Sequence, residues 1–202
     1  MKKKLESHLI NKYNLPHDIA ERVAALFISR KVSRGTVLLR QGEPSAHLFF
    51  VAKGCLRSYI NDKKGKTQTL VFAPEEWWIG DQVSLFREEP AMFSIDAVED
   101  SEILVADRQF YEKMPGIYDG FYQTCFIYAL EHLRLLEKRI LCLQGIFGDE
   151  RYLDFMRSYP ELAVRLPQHM IASYLGISRQ SLSRIRSKLA SNNPDTRTVA
   201  SK

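Results

Sequence analysis

The sequence has few cysteines and no long apolar run, and each shortage excludes a class of protein. Its three cysteines, Cys55, Cys125 and Cys142, are odd in number and widely spaced. They offer neither a disulfide framework nor the CxxC pairs that zinc and iron–sulfur sites use, so we expect reduced, buried thiols. No stretch approaches the ~20 apolar residues of a membrane span, and no apolar segment follows the basic N-terminus as in a signal peptide. We therefore expect a cytoplasmic protein with no membrane partner.

Motifs of common enzyme classes are also missing. The chain has no Walker loop, no nucleophile elbow and no HExxH helix. It also lacks the His-x-His pair with which small β-barrel enzymes hold a metal. We expect no enzymatic activity, no metal and no cofactor.

The positive charge is concentrated at the C-terminal end. The chain of 202 residues has a net charge of +5, and residues 147–202 carry nine Lys/Arg against five Asp/Glu. The remaining residues are almost neutral. A basic module joined to a neutral one favours a phosphate-rich partner such as nucleic acid, although a solvated basic surface would give the same composition.

The first region, residues 1–110, is dominated by strand-like segments. A short helical opening near residues 18–29 precedes them. Apolar segments then recur at intervals of roughly 8–12 residues, separated by turns such as the hairpin-type turn at residues 61–66. This spacing predicts a small barrel or sandwich.

The second region, residues 111–146, has the period of one long helix. Apolar or aromatic residues recur in alternating steps of four and three, the pattern of a coiled-coil seam. A second apolar stripe lies on another face, so we expect one face to pack on its own barrel and the other on a second chain. A helix buried within a monomer is the alternative. The seam consists of Tyr122, Phe126, Ala129, Leu133, Leu136, Ile140 and Leu143.

The third region, residues 147–202, contains the strongest local motif, a helix-turn-helix beginning at Gln168. Ala172 suits a close helix crossing, and Gly176 suits a left-handed turn four residues later. Ser178 is placed to cap the second helix. Five further apolar positions would form the core that fixes the angle between the helices: Ile171, Leu175, Ile177, Leu182 and Ile185.

Burial of those apolar positions leaves a polar outward face on the second helix. Arg179 and Arg184 can donate bidentately to guanine, and Gln180 can pair bidentately with adenine. Ser183 lies on the same face. Phosphate contacts that set the register are predicted for Ser178, Ser181 and Lys188, with Gln168 as a further candidate at the start of the first helix. The alternative is an ordinary amphipathic helix pair with a basic surface.

These residues resemble the Crp–Fnr superfamily of bacterial transcription regulators. Residues 178–185 are similar to that family's recognition helix, S-R-E-T-V-x-R, with Gln180 in place of the commoner Glu. Gly35, Gly42 and Gly54 resemble the glycine-punctuated turns of its cyclic nucleotide-binding domain. The resemblance implies an α+β fold with an N-terminal double-stranded β-helix (β-roll or jelly roll), a long dimerisation helix and a C-terminal winged helix-turn-helix. It implies a homodimer that binds pseudo-palindromic double-stranded DNA and contacts RNA polymerase.

The effector signature departs from the family. Members that respond to cyclic AMP carry Gly-Glu and, about ten residues later, Arg-Ser/Thr-Ala, whose Arg neutralises the cyclic phosphate. Here Gly80-Asp81 stands for Gly-Glu, and Ala91-Met92 stands where Arg-Ser is expected. Loss of such a charged contact costs on the order of 2–5 kcal/mol, so we expect no response to cyclic AMP. Trp78 and Arg87 complete the candidate effector pocket, and the effector itself is unknown. A cyclic nucleotide or other small-molecule binding module is the alternative function.

Overall fold

The computed structural model describes residues 1–145 and 148–192. The chain divides into two compact units. The first comprises Met1–Asn61 and Leu70–Ala129, and the second comprises Asp62–Thr69 together with the described residues from Leu130 onward. Strands dominate the first unit and helices the second, which confirms the α+β class. The domain boundaries at residues 110 and 146 stay a prediction.

Two helices precede the first strand. Helix α1 spans Lys2–Tyr13 and α2 spans His17–Ala25. The helix predicted near residues 18–29 corresponds to α2 at its start but extends too far, because Ser29 already lies in a strand, and α1 is not predicted. The buried face of α1 consists of Leu5, His8 and Leu9 only, too short a stripe to stand out among its lysines.

Eight strands form two antiparallel sheets in the first part of the chain. The first sheet has the order β1-β8-β3-β6 and the second β2-β7-β4-β5. This is the β-roll that the resemblance implies. The strands are β1 Ile28–Val32, β2 Val37–Leu39, β3 His47–Lys53, β4 Leu56–Asn61, β5 Thr67–Ala73, β6 Trp78–Ile79, β7 Ser94–Ala97 and β8 Ser101–Asp107.

Strand β3 is buried on both faces, and its alternation separates two apolar cores. Phe49 and Val51 point to one side and pack with Ile95 of the opposite sheet. Leu48 and Phe50 point to the other side, where α1 and α2 cover the sheet. The roll therefore has an inner core between its sheets and an outer core beneath its N-terminal helices.

The glycines that carry the family resemblance have backbone angles that other residues resist. Gly35, Gly42 and Gly54 have φ angles of 82°, 88° and 91°. At Gly54 the space is also closed, since an added Cβ would lie 2.8 Å from the carbonyl oxygen of Asp100. The turns of the roll depend on glycine at these positions.

The long helix is shorter than the sequence predicts. Residues from Tyr111 onward belong first to α4 and a 3-10 turn, and α5 begins only at Phe121. Pro115, Gly116 and Gly120 interrupt the helix before that point. With 25 residues, α5 is about 37 Å long, whereas one helix over the whole of the second region would be roughly 50 Å long.

The remaining helices complete the two units. Among the described residues none is long and apolar enough to cross a membrane. The predicted wing would follow the last helix and lies outside the described residues. The helices are α3 Gln82–Arg87, α4 Arg108–Lys113, α5 Phe121–Gly145, α6 Gly148–Ser158, α7 Pro160–Arg165, α8 Gln168–Leu175 and α9 Arg179–Asn192.

Candidate nucleic-acid interface and effector region

Helices α8 and α9 form the predicted helix-turn-helix. Gly176 ends α8 in the left-handed conformation, with φ of 68°. The N–H of Ile177 then donates to the carbonyl of Ala172 at 3.0 Å, which closes the turn. Ala172 is buried, as a close helix crossing requires. Local sequence therefore predicts this turn correctly.

The core beneath the motif contains the predicted apolar residues. Ile171, Leu175 and Leu182 are buried, while Ile177 and Ile185 are half-buried. An added Cβ on Gly148 would lie 3.3 Å from Ile177 and 3.6 Å from Ile185, so the start of α6 packs closely on both. The position of α9 is thus fixed by apolar side chains of α8 and of α9 itself and by the close approach of the start of α6.

Ser178 caps α9. Its hydroxyl accepts from the Ser181 N–H at 3.0 Å and lies 2.9 Å from the Ser181 hydroxyl. A cap of this kind satisfies an N–H group that the first helical turn leaves without a partner. Both serines therefore have a hydrogen-bond partner at the start of α9.

The outward face of α9 is exposed. Arg179, Gln180, Ser183 and Arg184 all lie in solvent. Neither arginine is paired with an acidic group among the described residues. Two guanidinium groups on one face of a packed helix are a suitable donor set for base edges or phosphates.

The other predicted contact residues have different surroundings. Lys188 is exposed, and its ammonium group lies 3.7 Å from the Asp149 carboxylate of α6. Gln168 is half-buried at the start of α8. A phosphate contact by Lys188 would therefore replace an existing ion pair.

Sequence reasoning missed the attachment of Asp62–Thr69 to α8. The Ser173 hydroxyl donates to the Thr67 carbonyl and accepts from the Thr69 N–H, each at 2.9 Å. Arg139 of α5 donates to the carbonyls of Thr69 and Tyr174 at 3.0 and 2.8 Å and stacks on the Tyr174 ring. Acceptors on the main chain have no residue-type signal, so the sequence could not predict these bonds.

The predicted seam of α5 is largely exposed. Tyr122 and Phe126 are 69% and 63% exposed, and Leu133 and Ile140 are about half-exposed. Large apolar side chains in a row on one helix are typical of a protein–protein contact. Of the remaining seam positions, Ala129 and Leu143 are exposed and Leu136 is half-buried.

Asp81 connects the two segments of the predicted effector signature. One carboxylate oxygen accepts from the Ser84 N–H at 3.0 Å and so caps α3. The other accepts from the Met92 N–H at 2.9 Å. Ala91 is buried in the inner core, whereas the Met92 side chain is 74% exposed. Gly80, Asp81, Ala91 and Met92 are therefore close together.

The other two residues predicted for the effector pocket, Trp78 and Arg87, lie elsewhere. Trp78 packs in the outer core, with its ring 4.8 Å from that of Phe50. Arg87 is exposed and lies 3.8 Å from Glu89. The structure does not bring these two side chains together with Ala91.

A buried ion pair that the sequence did not predict spans β4 and β7. Both carboxylate oxygens of Asp96 accept from the Arg57 guanidinium, at 2.8 and 2.9 Å. The Arg57 guanidinium also stacks on Tyr59. Because Asp96 neutralises it in two-point geometry, Arg57 is engaged within the protein.

Residues 29–115 match the family model of the cyclic nucleotide-binding domain. The Anaerobic regulatory protein of Bacillus subtilis (strain 168) is 30% identical over 135 residues, which are 65% of this chain and 56% of that protein. Both matches agree with the resemblance to the Crp–Fnr superfamily that the sequence motifs carry. The match spans little more than half the length of that relative.

Solved structures share the overall fold of this chain. FixK2 from Bradyrhizobium japonicum superimposes with a TM-score of 0.71 at 21% identity, over 82% of this chain and 85% of FixK2. A CooA variant from Carboxydothermus hydrogenoformans gives 0.69 at 18% identity, over 92% of this chain and 84% of CooA. At such identities the likeness concerns the fold alone.

Proposed function

We propose that this chain is a dimeric, sequence-specific DNA-binding transcription regulator that acts in the cytoplasm. The observation that carries the proposal is the exposed face of α9, where two arginines that pair with no acidic group among the described residues lie on a capped and well-packed helix-turn-helix. The match to an anaerobic regulatory protein supports it. RNA polymerase is the proposed partner through which binding affects transcription.

Base reading is assigned to the first turns of α9. Arg179 and Arg184 present bidentate donors for guanine, and Gln180 presents an amide that complements adenine. Ser183 lies on the same face. Ser178, Ser181, Lys188 and Gln168 are proposed to contact phosphates, which set the register of the helix on the duplex.

Pairing of two chains along α5 would present two reading helices to one duplex. The exposed apolar side chains from Tyr122 to Leu143 would be buried in that contact. Each α9 would then lie in one of two successive major grooves, with half-sites about 34–36 Å apart. The DNA sequence that such a dimer binds would therefore have two-fold symmetry.

A mobility-shift titration tests the assignment of the reading face. The DNA is a duplex selected from a random pool by the wild-type protein. Arg179→Ala and Arg184→Ala should each weaken binding by about 1–3 kcal/mol, because each loses a bidentate base contact. Arg157→Ala is the matched control, since this exposed residue carries the same charge on α6 and not on α9. Equal losses in all three variants would contradict base reading by α9.

The first unit, which contains the β-roll, is proposed to give no response to cyclic AMP. Ala91 has no charge to offer a cyclic phosphate, and both oxygens of the Asp81 carboxylate already accept backbone N–H groups. Calorimetric titration of the intact protein with cyclic AMP should show no binding heat. Micromolar binding would support the other candidate, a cyclic nucleotide-binding module, which the match at residues 29–115 favours.

A further inference from the structure

A large cavity lies on the outer side of the β-roll, beside the first turns of α5. Its volume is about 420 Å³, within the range of small-molecule sites. Leu48 and Trp78 of the roll form part of its wall, and Tyr13, Phe86 and Thr124 from three helices form further parts. Of the predicted effector residues, Trp78 lines this cavity, whereas Gly80, Asp81, Ala91 and Met92 do not.

The wall of this cavity is unusually rich in aromatic rings. Nine of the chain's 22 aromatic residues line it. Phe86 and Tyr111 meet edge to face with ring centroids 4.7 Å apart, and Phe110 and Phe121 contact each other in the same way at 5.9 Å. Faces and edges of rings at such distances offer offset or edge contacts to another planar ring.

The wall is also electrically neutral. Its lining residues include one arginine and one glutamate, Arg108 and Glu112, which lie 3.8 Å apart. Glu88 holds the other end of the Arg108 guanidinium. Burial raises the pKa of the Tyr111 hydroxyl and that of the Cys125 thiol, so both remain protonated at neutral pH. An anionic ligand would find no unpaired cation here.

We infer that this cavity binds a small, uncharged, planar aromatic molecule of roughly two or three rings. Its rings would pack among Phe86, Tyr111 and Trp78, and the Tyr111 hydroxyl or the Gln82 amide at the wall would bond one polar atom of the ligand. The inference does not depend on DNA binding.

Fluorescence titration of the full chain with a matched pair of probes tests the inference. N-phenyl-1-naphthylamine is neutral, and 8-anilinonaphthalene-1-sulfonate has the same rings with an added sulfonate. The neutral probe should bind once per chain, with a dissociation constant on the order of 10 µM. The sulfonate should bind at least about tenfold more weakly, since its charge has no partner in the cavity.

Two variants locate the probe. Thr124→Phe places a ring inside the cavity and should weaken binding at least about tenfold. Phe86→Ala removes a half-exposed ring from the wall and should also weaken it, which keeps the test valid if Thr124→Phe fails to fold. Gln123→Phe adds the same ring on the exposed side of α5, outside the lining, and should bind as the wild type does.

Three results would overturn the inference. One is unchanged binding by Thr124→Phe and Phe86→Ala, which would place the probe on an exposed apolar surface. Another is tighter binding of the sulfonate than of the neutral probe. The third is binding to a monomeric variant but not to the wild type, which would show that a second copy of the chain fills the cavity. Mobility-shift titrations test DNA binding separately.

Discussion

Asp81 has a shorter side chain than the Glu that stands at this position in the cyclic AMP-responsive members of the family. The resemblance aligns Gly80-Asp81 with a Gly-Glu pair whose carboxylate accepts from a ribose hydroxyl. Here the shorter carboxylate accepts from the backbone N–H groups of Ser84 and Met92. It therefore stabilises the start of α3 and the segment that contains Ala91. Both of these bonds are made within the protein, which supports the proposal that the chain does not respond to cyclic AMP.

We expect the stability of the first unit to depend on pH through His8. Its ring is buried against Phe50 and Tyr13, and its Nδ1 lies 3.2 Å from the Glu76 carboxylate. Burial lowers the pKa of His8 below its ordinary value of 6.5, and Glu76 opposes that effect only in part. Below pH 6.5 the unfolded chain therefore takes up the proton more readily than the folded one. Stability should be complete above that pH and should decrease as the pH falls towards the folded-state pKa.

Urea unfolding of wild type and His8→Phe at pH 7.5 and 5.5 measures this effect. The wild type should lose more unfolding free energy on acidification than His8→Phe, which keeps an aromatic ring but cannot be protonated. His132, whose pKa burial also lowers, is present in both proteins and cancels in the comparison. Equal pH dependence in the two proteins would show that His8 is not the responsible group.

Single residues of the helix-turn-helix were predictable because their reasons are local. Gly176 needs a positive φ, and Ser178 caps the helix that follows it within three residues. The sequence does not predict the Arg57–Asp96 ion pair, because 39 residues separate its partners. It does not predict the bonds of Ser173 either, because their partners lie more than 100 residues away. Only the fold decides which distant side chains become neighbours.

The seam of α5 gives a prediction at the level of the element. Leu133→Glu places a carboxylate in the middle of the proposed contact and should dissociate the dimer at micromolar concentration, because burying an unpaired charge is costly. Leu141→Glu, on the same helix but outside the seven seam positions, is the matched control and should stay dimeric. Sedimentation velocity distinguishes the two. Dissociation by Leu141→Glu with an intact Leu133→Glu dimer would place the contact on the other face.

Elements with a clear period or turn chemistry were predicted, and those without were not. The strands from β2 to β5 are apolar segments separated by turns, and α8 and α9 are joined by a glycine turn and a serine cap that the sequence predicts. The sequence does not predict α1, whose buried face is narrow. It predicts a helix longer than α5, because the apolar residues before Phe121 belong to a separate helix and turn. Apolar periodicity alone does not locate a break that Pro115 and Gly120 impose.

At the level of the whole molecule, the chain passes between its two units three times. It does so at residues 61–62, at residues 69–70 and within α5 at residues 129–130. Asp62–Thr69 continues from β4 and into β5, yet it bonds to α8 of the helix-turn-helix through Ser173. Strands β4 and β5 and helix α5 are therefore covalently continuous with the second unit.

Selection of bound sequences from a random DNA pool, by the wild type and by Gln180→Glu, tests the central claim most directly. A dimeric regulator that reads bases with α9 should enrich a two-fold symmetric sequence with half-sites about 34–36 Å apart. Gln180→Glu should change one base of each half-site, from adenine towards cytosine, because the amide becomes an acceptor-only carboxylate. No enrichment, a single asymmetric site, or the same sequence for both proteins would contradict the account.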